Sequence, residues 1–285
     1  MLNIRSSSLD GGETHLPTMG AEFVVMDPDN QLCQAVLERI MLKGHVCFIP
    51  DAVWKRFQST YAAEISAFPN AFKPLSTGPI DPLWIATPSA PAPEQVPFHR
   101  CVVLQFAENE TLQTGETHTI TIHDMLPSPR GSVHHTMFQN WLRHATKNTM
   151  PELASQGHHW CNIIDASAGI VSTLPHLREE IASLHIAGRR CWKAEETWNE
   201  FQLLAQRTQA GTTGTFEVHH LTPDGGPELS VEQIERGSEP FMQRPDIGSF
   251  HRFLEHHAGT GWRPTIPLRQ SLMMMFAELE QTHES

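Results

Sequence analysis

The stretch SFHRFLEHHAGTGWRPTIPLRQSLMMMF, residues 249–276, decides how the chain is read. Ser249–His256 and Ile266–Phe276 read as two apolar strands. His256 and His257 close the first. Arg269 and Ser271 lie on the second, Arg269 twelve to thirteen residues after the histidine pair. Imidazole is a metal ligand and a proton carrier near neutral pH. A guanidinium grips a carboxylate through two parallel hydrogen bonds, and a nearby hydroxyl adds a third.

Working outward, Thr215–His220 (TFEVHH) is a further strand ending at the turn Thr222-Pro-Asp-Gly-Gly. Ser230 and Gln233 form a capping box that opens a short helix. Residues 134–206 are mostly helical, with Met137, Trp141 and Ala145 on one face and Trp198, Phe201 and Leu204 on another. The run 159–165 (HWCNIID) interrupts them as a strand. Before that insertion, Cys101–Phe106 (CVVLQF) is a continuous apolar run and Glu116–His123 (ETHTITIH) alternates, with a polar segment between them that suits a hairpin. LWIA at 83–86 is a short strand in a long Pro-rich loop. Residues 32–68 predict helix, strand (HVCFIP, 45–50) and helix, the second helix lined by Trp54, Phe57, Tyr61, Ile65 and Phe68. Residues 1–20 read as a flexible arm and 21–285 as one catalytic domain with the helical insertion at about 134–206.

Composition narrows the partners. The 285 residues hold 20 Lys+Arg against 32 Asp+Glu, a formal charge of −12 that disfavours a nucleic-acid partner. No apolar run reaches the roughly 20 residues of a membrane span. The five cysteines form no Cys-x-x-Cys pair and suit buried thiols in a cytoplasmic, reducing setting. Phosphate-loop, Gly-x-Gly-x-x-Gly, Gly-x-Ser-x-Gly and His-Glu-x-x-His motifs are absent. The chain is instead rich in imidazole: 18 histidines, eight of them in four adjacent pairs.

Sorted by context, His134-His135 and His158-His159 stand near helix or strand starts and suit capping, surface or supporting roles. His219-His220 precede a turn, and His123 neighbours Asp124 at a strand end.

The order histidine, strand, Arg-x-Ser in His256 to Ser271 resembles the C-terminal core of the Fe(II)/2-oxoglutarate-dependent oxygenases. The helix–strand–helix unit at 32–68 is similar to the segment preceding their core. The resemblance implies an α+β fold with a distorted double-stranded β-helix (jelly-roll-like) core wrapped by helices. It implies Fe(II) and 2-oxoglutarate as cofactors, the metal held by His256 or His257 with one or two of His219, His123 and Asp124, the co-substrate or a substrate carboxylate held by Arg269 with Ser271, and oxidation of a small organic molecule. The family's His-x-Asp/Glu motif is not present at any of the 18 histidines. Two other readings stay open: a His-site metalloenzyme without 2-oxoglutarate, and a non-catalytic binding protein on the same scaffold.

Overall fold

The computed structural model describes residues 20–109, 117–154, 157–177, 182–217 and 245–283. All but the last residue of the arm expected at 1–20, together with His219, Asp224 and the Ser230–Gln233 capping box, lie outside these residues.

Four short apolar runs set the architecture. EFVV, VCFI, LWIA and CVVLQF become β1 (Glu22–Val25), β2 (Val46–Ile49), β4 (Leu83–Ala86) and β5 (Cys101–Phe106). Runs this uniformly apolar suit strands buried inside a parallel sheet. β3 (Phe72–Pro74), β6 (His118–Ile122) and β9 (Ser183–Ile186) complete a seven-stranded sheet in the order β3-β2-β1-β4-β5-β6-β9, parallel at every pairing. The order runs outward in both directions from β1 and β4, so the two halves meet there as in a doubly wound α/β sheet. β7 (Met125–Leu126) and β8 (Cys161–Asn162) form a separate parallel pair just past the end of β6.

The helices follow from apolar spacing. In α1 (Gln31–Leu42), Leu32, Cys33, Val36, Leu37 and Ile40 are buried, and the Asn30 side chain caps the first turn. α2 (Asp51–Thr60) and α3 (Ala62–Ala67) follow β2, so the helix–strand–helix unit expected at 32–68 is present. One sheet face, including Phe23, Val25, Ile85, Leu104 and Ile122, packs on α1, α5 (Ile163–Thr173) and α7 (Ile247–Ala258) in a single apolar core. α4 (Val133–Thr146), α6 (Ala194–Thr213) and α8 (Leu268–His283) build a second core from Phe138, Trp141, Trp198, Phe201, Leu272 and Leu279.

The expected double-stranded β-helix is therefore not the fold. Jelly rolls are built from antiparallel strands, whereas this sheet is open and parallel. β5 and β6 are neighbours, but they pair in parallel and form no hairpin. Ser249–His256 lies within α7 and most of Ile266–Phe276 within α8, not in strands. Phe250 and Leu254 recur at four residues, and Leu268, Leu272, Met275, Phe276 and Leu279 at four, three, one and three; all are buried. That is one helical stripe in each case.

Candidate functional site

In an open α/β sheet, ligands bind beyond the carboxyl ends of the strands. Two places there hold concentrated polar groups: the junction of β1 and β4, and the ends of β5 and β6.

At the first, the turn from β1 into α1 is Met26-Asp27-Pro28-Asp29-Asn30, with no glycine. The Asn30 Oδ1 accepts from the N–H groups of Leu32 at 3.0 Å and Cys33 at 3.4 Å, occupying the free donors of the helix start. Thr87 Oγ1 and Ser89 Oγ donate to Asp27 Oδ2 at 3.1 and 3.0 Å, closing the crevice between the strands. Asp29 pairs with Arg56 on α2. Asp51, just past β2, accepts from the backbone N–H of Ser76 at 3.3 Å and from its hydroxyl at 2.8 Å.

The second place is built around Asp124, two residues past β6. Its φ of 45° puts it in the left-handed region, which aspartate enters more readily than most residues. Its carbonyl accepts the Cys161 N–H at 3.0 Å, joining this strand end to β8. Its Oδ2 accepts the His159 backbone N–H at 2.6 Å. Its Oδ1 faces two rings at once, His158 Nδ1 at 3.2 Å and His134 Nε2 at 3.4 Å.

His134 stands in the first turn of α4. That turn is fixed by Ser132, whose hydroxyl accepts the His135 N–H at 3.1 Å, and by Glu108 Oε2, which accepts the Val133 N–H at 3.2 Å. The other Glu108 oxygen lies 2.5 Å from His134 Nδ1. His158 is held by paired backbone hydrogen bonds with Trp192, each 2.8 Å. The Trp160 ring stacks on His158 at 4.4 Å and meets His134 edge-on at 5.1 Å. Its indole N–H donates to Thr197 Oγ1 at 3.0 Å. The cluster is thus sheltered by an aromatic wall but still reachable: side-chain exposure is 19% for Asp124, 12% for His134 and 9% for His158.

Burial pushes the Asp124 carboxyl up, but hydrogen bonds from His158 and His159 and the charge of the neighbouring rings outweigh it. The carboxyl sits below its ordinary range. Burial also lowers His134, more than the Glu108 and Asp124 carboxylates raise it, so this imidazole favours the neutral form. A neutral imidazole between ionised carboxylates can take up a proton, or bind a cation through a ring lone pair.

The residues singled out in the sequence are dispersed. His123 Nε2 lies 3.0 Å from His185 Nδ1. His256 and His257 are exposed near the end of α7, with the His257 ring stacked on His176 at 4.9 Å. Arg269 is exposed in the first turn of α8, lining an open groove with Arg207 and Glu280. Ser271 is buried and accepts from the Asn162 amide at 2.8 Å. Among the described residues, only Asp124 of these belongs to the cluster that also holds His134 and His158. The signal for Glu108 was positional: it stands two residues past β5, as Asp124 does past β6, and β5 and β6 are parallel neighbours in the sheet.

No family model and no curated protein matches the chain. Solved structures do. A thiolation-reductase di-domain from an archaeal non-ribosomal peptide synthetase superposes with a TM-score of 0.55 at 11% identity, over 93% of this chain and 76% of that one. The UDP-Glc/GlcNAc 4-epimerase from Campylobacter jejuni gives 0.53 at 9%, over 92% and 100%. The UDP-glucose-4-epimerase from Stenotrophomonas maltophila, solved with bound NAD, gives 0.50 at 11%, over 93% and 99%. These likenesses establish the fold and correct the cofactor reading. The oxygenase resemblance, with Fe(II), 2-oxoglutarate and a dioxygenase activity, does not hold on a scaffold shared with reductases and epimerases. Among the described residues no helix is long and apolar enough to cross a membrane. The chain has the Rossmann-like parallel fold of these enzymes, with a histidine–carboxylate cluster at the carboxyl edge of its sheet.

Proposed function

We propose that this protein is an enzyme that performs proton-transfer chemistry on a small polar organic molecule at the carboxyl edge of β5 and β6. The observation that carries this reading is the His134 ring held between Glu108 and Asp124. Glu108 at Nδ1 fixes the tautomer and leaves Nε2 as the basic nitrogen. That is how a carboxylate orients a general-base histidine. Asp124 and His158 are placed to bind or polarise the molecule acted upon.

The shared fold implies a dinucleotide, and the residues at the β1–β4 junction do not fit its pyrophosphate. Dinucleotide sites of this architecture use a glycine-rich turn that lets the backbone approach the pyrophosphate at a helix N-terminus. Here that turn carries Asp27, Pro28 and Asp29, and Asn30 already occupies the helix-start N–H groups. A unit negative charge about 5 Å from a phosphate is opposed by about 3 kcal/mol at an effective dielectric of 20. No step is therefore routed through a dinucleotide.

One observation favours a second reading. Asp51 stands just past β2, 24 residues after Asp27, near the spacing at which this fold places the acid that holds an adenine ribose. On that reading the chain is a reductase or epimerase with a reduced nucleotide site.

Two measurements test these readings. Titration of the full chain with NAD and with NADP, followed by tryptophan fluorescence, separates them; saturable micromolar binding supports the second and overturns the first. Proton NMR in deuterated buffer, over a panel of small 2-oxo acids, 2-hydroxy acids and esters, compares the protein with His134→Gln. Loss of a general base lowers turnover or exchange by about 100-fold or more. Equal rates would remove His134 from the chemistry.

A further inference from the structure

The Asp124–His134–His158 cluster has a feature that proton transfer alone does not account for. His134 Nδ1 lies 2.5 Å from Glu108 Oε1, and its Nε2 lies 3.4 Å from Asp124 Oδ1, an acceptor. With the ring proton on the Glu108 side, Nε2 and Asp124 Oδ1 are two lone-pair donors across a gap that suits a positive centre.

We infer that Asp124, His134 and His158 form a mononuclear site for a divalent cation of the zinc class, with one coordination position left open. The inference rests on the reading that this cluster is the working site, and deepens it.

Geometry supports it first. Asp124 Oδ1, His134 Nε2 and His158 Nδ1 all lie within 4.8 Å of one another. Two of the three separations are 3.2 and 3.4 Å. Zinc bonds of about 2.0–2.1 Å at tetrahedral angles place neighbouring ligand atoms about 3.3 Å apart. The ligands come from three places in the fold: the end of β6, the first turn of α4 and the backbone bridge to Trp192.

Surrounding groups support it next. A ligating histidine commonly has a carboxylate at its other ring nitrogen, and Glu108 Oε1 stands 2.5 Å from His134 Nδ1. The second oxygen of Asp124 is fixed by the His159 N–H. Trp160 packs on both imidazoles and limits their rotation. Charge also balances, since Glu108 and Asp124 together offset a dication. Two imidazoles and one carboxylate are nitrogen and oxygen donors of the kind zinc accepts, and three protein ligands leave a fourth position for water or substrate.

The test uses the full chain, stripped with EDTA, dialysed, and titrated with ZnCl2 by calorimetry, with circular dichroism as the check on folding. Cobalt(II) absorption reports the ligand field. We expect one tight site per chain with a tetrahedral cobalt spectrum. His158→Gln and Asp124→Asn should abolish it. Glu108→Gln alters a partly exposed outer group, is the variant safest for folding, and should weaken zinc about 10–100-fold. The double variant His256→Gln/His257→Gln should bind as the parent does, separating this site from the adjacent pair on α7. Absence of a stoichiometric site in the folded parent overturns the inference. So does unchanged binding in folded Glu108→Gln together with loss of binding in the α7 double variant. If zinc does not bind while His134→Gln still abolishes turnover, the proton-transfer reading stands and the metal fails. If zinc binds and His134→Gln leaves turnover unchanged, the reverse holds.

Discussion

Asp165 offers a direct test of how the C-terminal third is fastened to the sheet. It stands in the first turn of α5, 8% exposed. Its Oδ2 accepts the backbone N–H groups of Thr265 at 3.1 Å and Ile266 at 2.9 Å, and its Oδ1 accepts the Thr265 hydroxyl at 3.0 Å. These bonds hold the segment between α7 and α8. The same segment carries Trp262, which is buried and donates to the Ala187 carbonyl at 2.9 Å. Asp165→Ala strands two backbone donors. Each stranded group costs about 1–3 kcal/mol, and water entering the space vacated by the carboxylate recovers part of that. The expected loss is about 3–5 kcal/mol, the range seen when a buried charged network is broken. Thr265→Val removes only the hydroxyl bond and should cost about 1 kcal/mol. Urea unfolding followed by tryptophan fluorescence measures both, with an unchanged slope showing that the unfolded state is the same. A loss below 1 kcal/mol for Asp165→Ala, or equal losses for the two variants, would refute this account.

Other outcomes follow from single contacts. A Cβ on Gly169 would lie 2.8 Å from Trp262 Cζ3 and 3.0 Å from Phe250 Cζ. Gly169→Ala should therefore destabilise by urea titration, because overpacking of about 1–3 kcal/mol exceeds the helix-propensity gain of about 1 kcal/mol; a stabilised variant would mean the rings move freely. Tyr61 is the sole tyrosine, and burial, then the charges of Glu38, Glu64 and Asp29, push its phenol up to about 12. The tyrosinate absorbance should therefore rise with a midpoint near that value, and a midpoint near 10 would contradict its packing beside Phe57. In metal-free protein, Asp124 and His134 both act against acid. Asp124 is lowered from 3.8, so its contribution is present above that pH and is lost as pH falls through the folded-state value. His134 is lowered from 6.5, so below that pH the unfolded chain takes up a proton more readily than the folded one, and stability falls. His134→Gln should flatten the dependence of stability on pH below 6.5, and an unchanged slope would show that this ring is not buried neutral.

Much of the N-terminal half was legible because its signals were local. A buried parallel strand is an uninterrupted apolar run, and VCFI, LWIA and CVVLQF are that. The C-terminal helices were misread because His256-His257 and Arg269-x-Ser271 suggested strands with a metal and an anion anchor. The buried stripe of Phe250 and Leu254, and that of Leu268, Leu272 and Leu279, already had helical spacing. Strand direction is beyond local reading: the polar segment containing Glu108, Asn109 and Glu110 suits a hairpin, while β5 and β6 pair in parallel. The site was half visible. Asp124 stood out beside His123, but His134 and His158 look like capping or surface histidines until the fold brings them to the same carboxylate.

The placement of Glu108 and Asp124 ties the fold to the site. Phe106 pairs with Ile122 at the ends of β5 and β6, and Glu108 and Asp124 each stand two residues beyond those ends. Both carboxylates approach the same imidazole, Glu108 at Nδ1 and Asp124 at Nε2, and like charges held on either side of one ring repel each other. Two carboxylates on either side of one ring favour a positive partner between them. His134 occupies that position, touching Glu108 through one nitrogen and facing Asp124 with the other. Yet burial keeps its ring toward the neutral form, so the imidazole by itself does not cancel both charges. The turn after β1 meanwhile presents acidic side chains where this architecture elsewhere receives a pyrophosphate. Negative charge has therefore gathered along the carboxyl edge of the sheet. Such an edge repels phosphates and draws cations, and the two imidazoles beside Asp124 supply the lone pairs that would hold one.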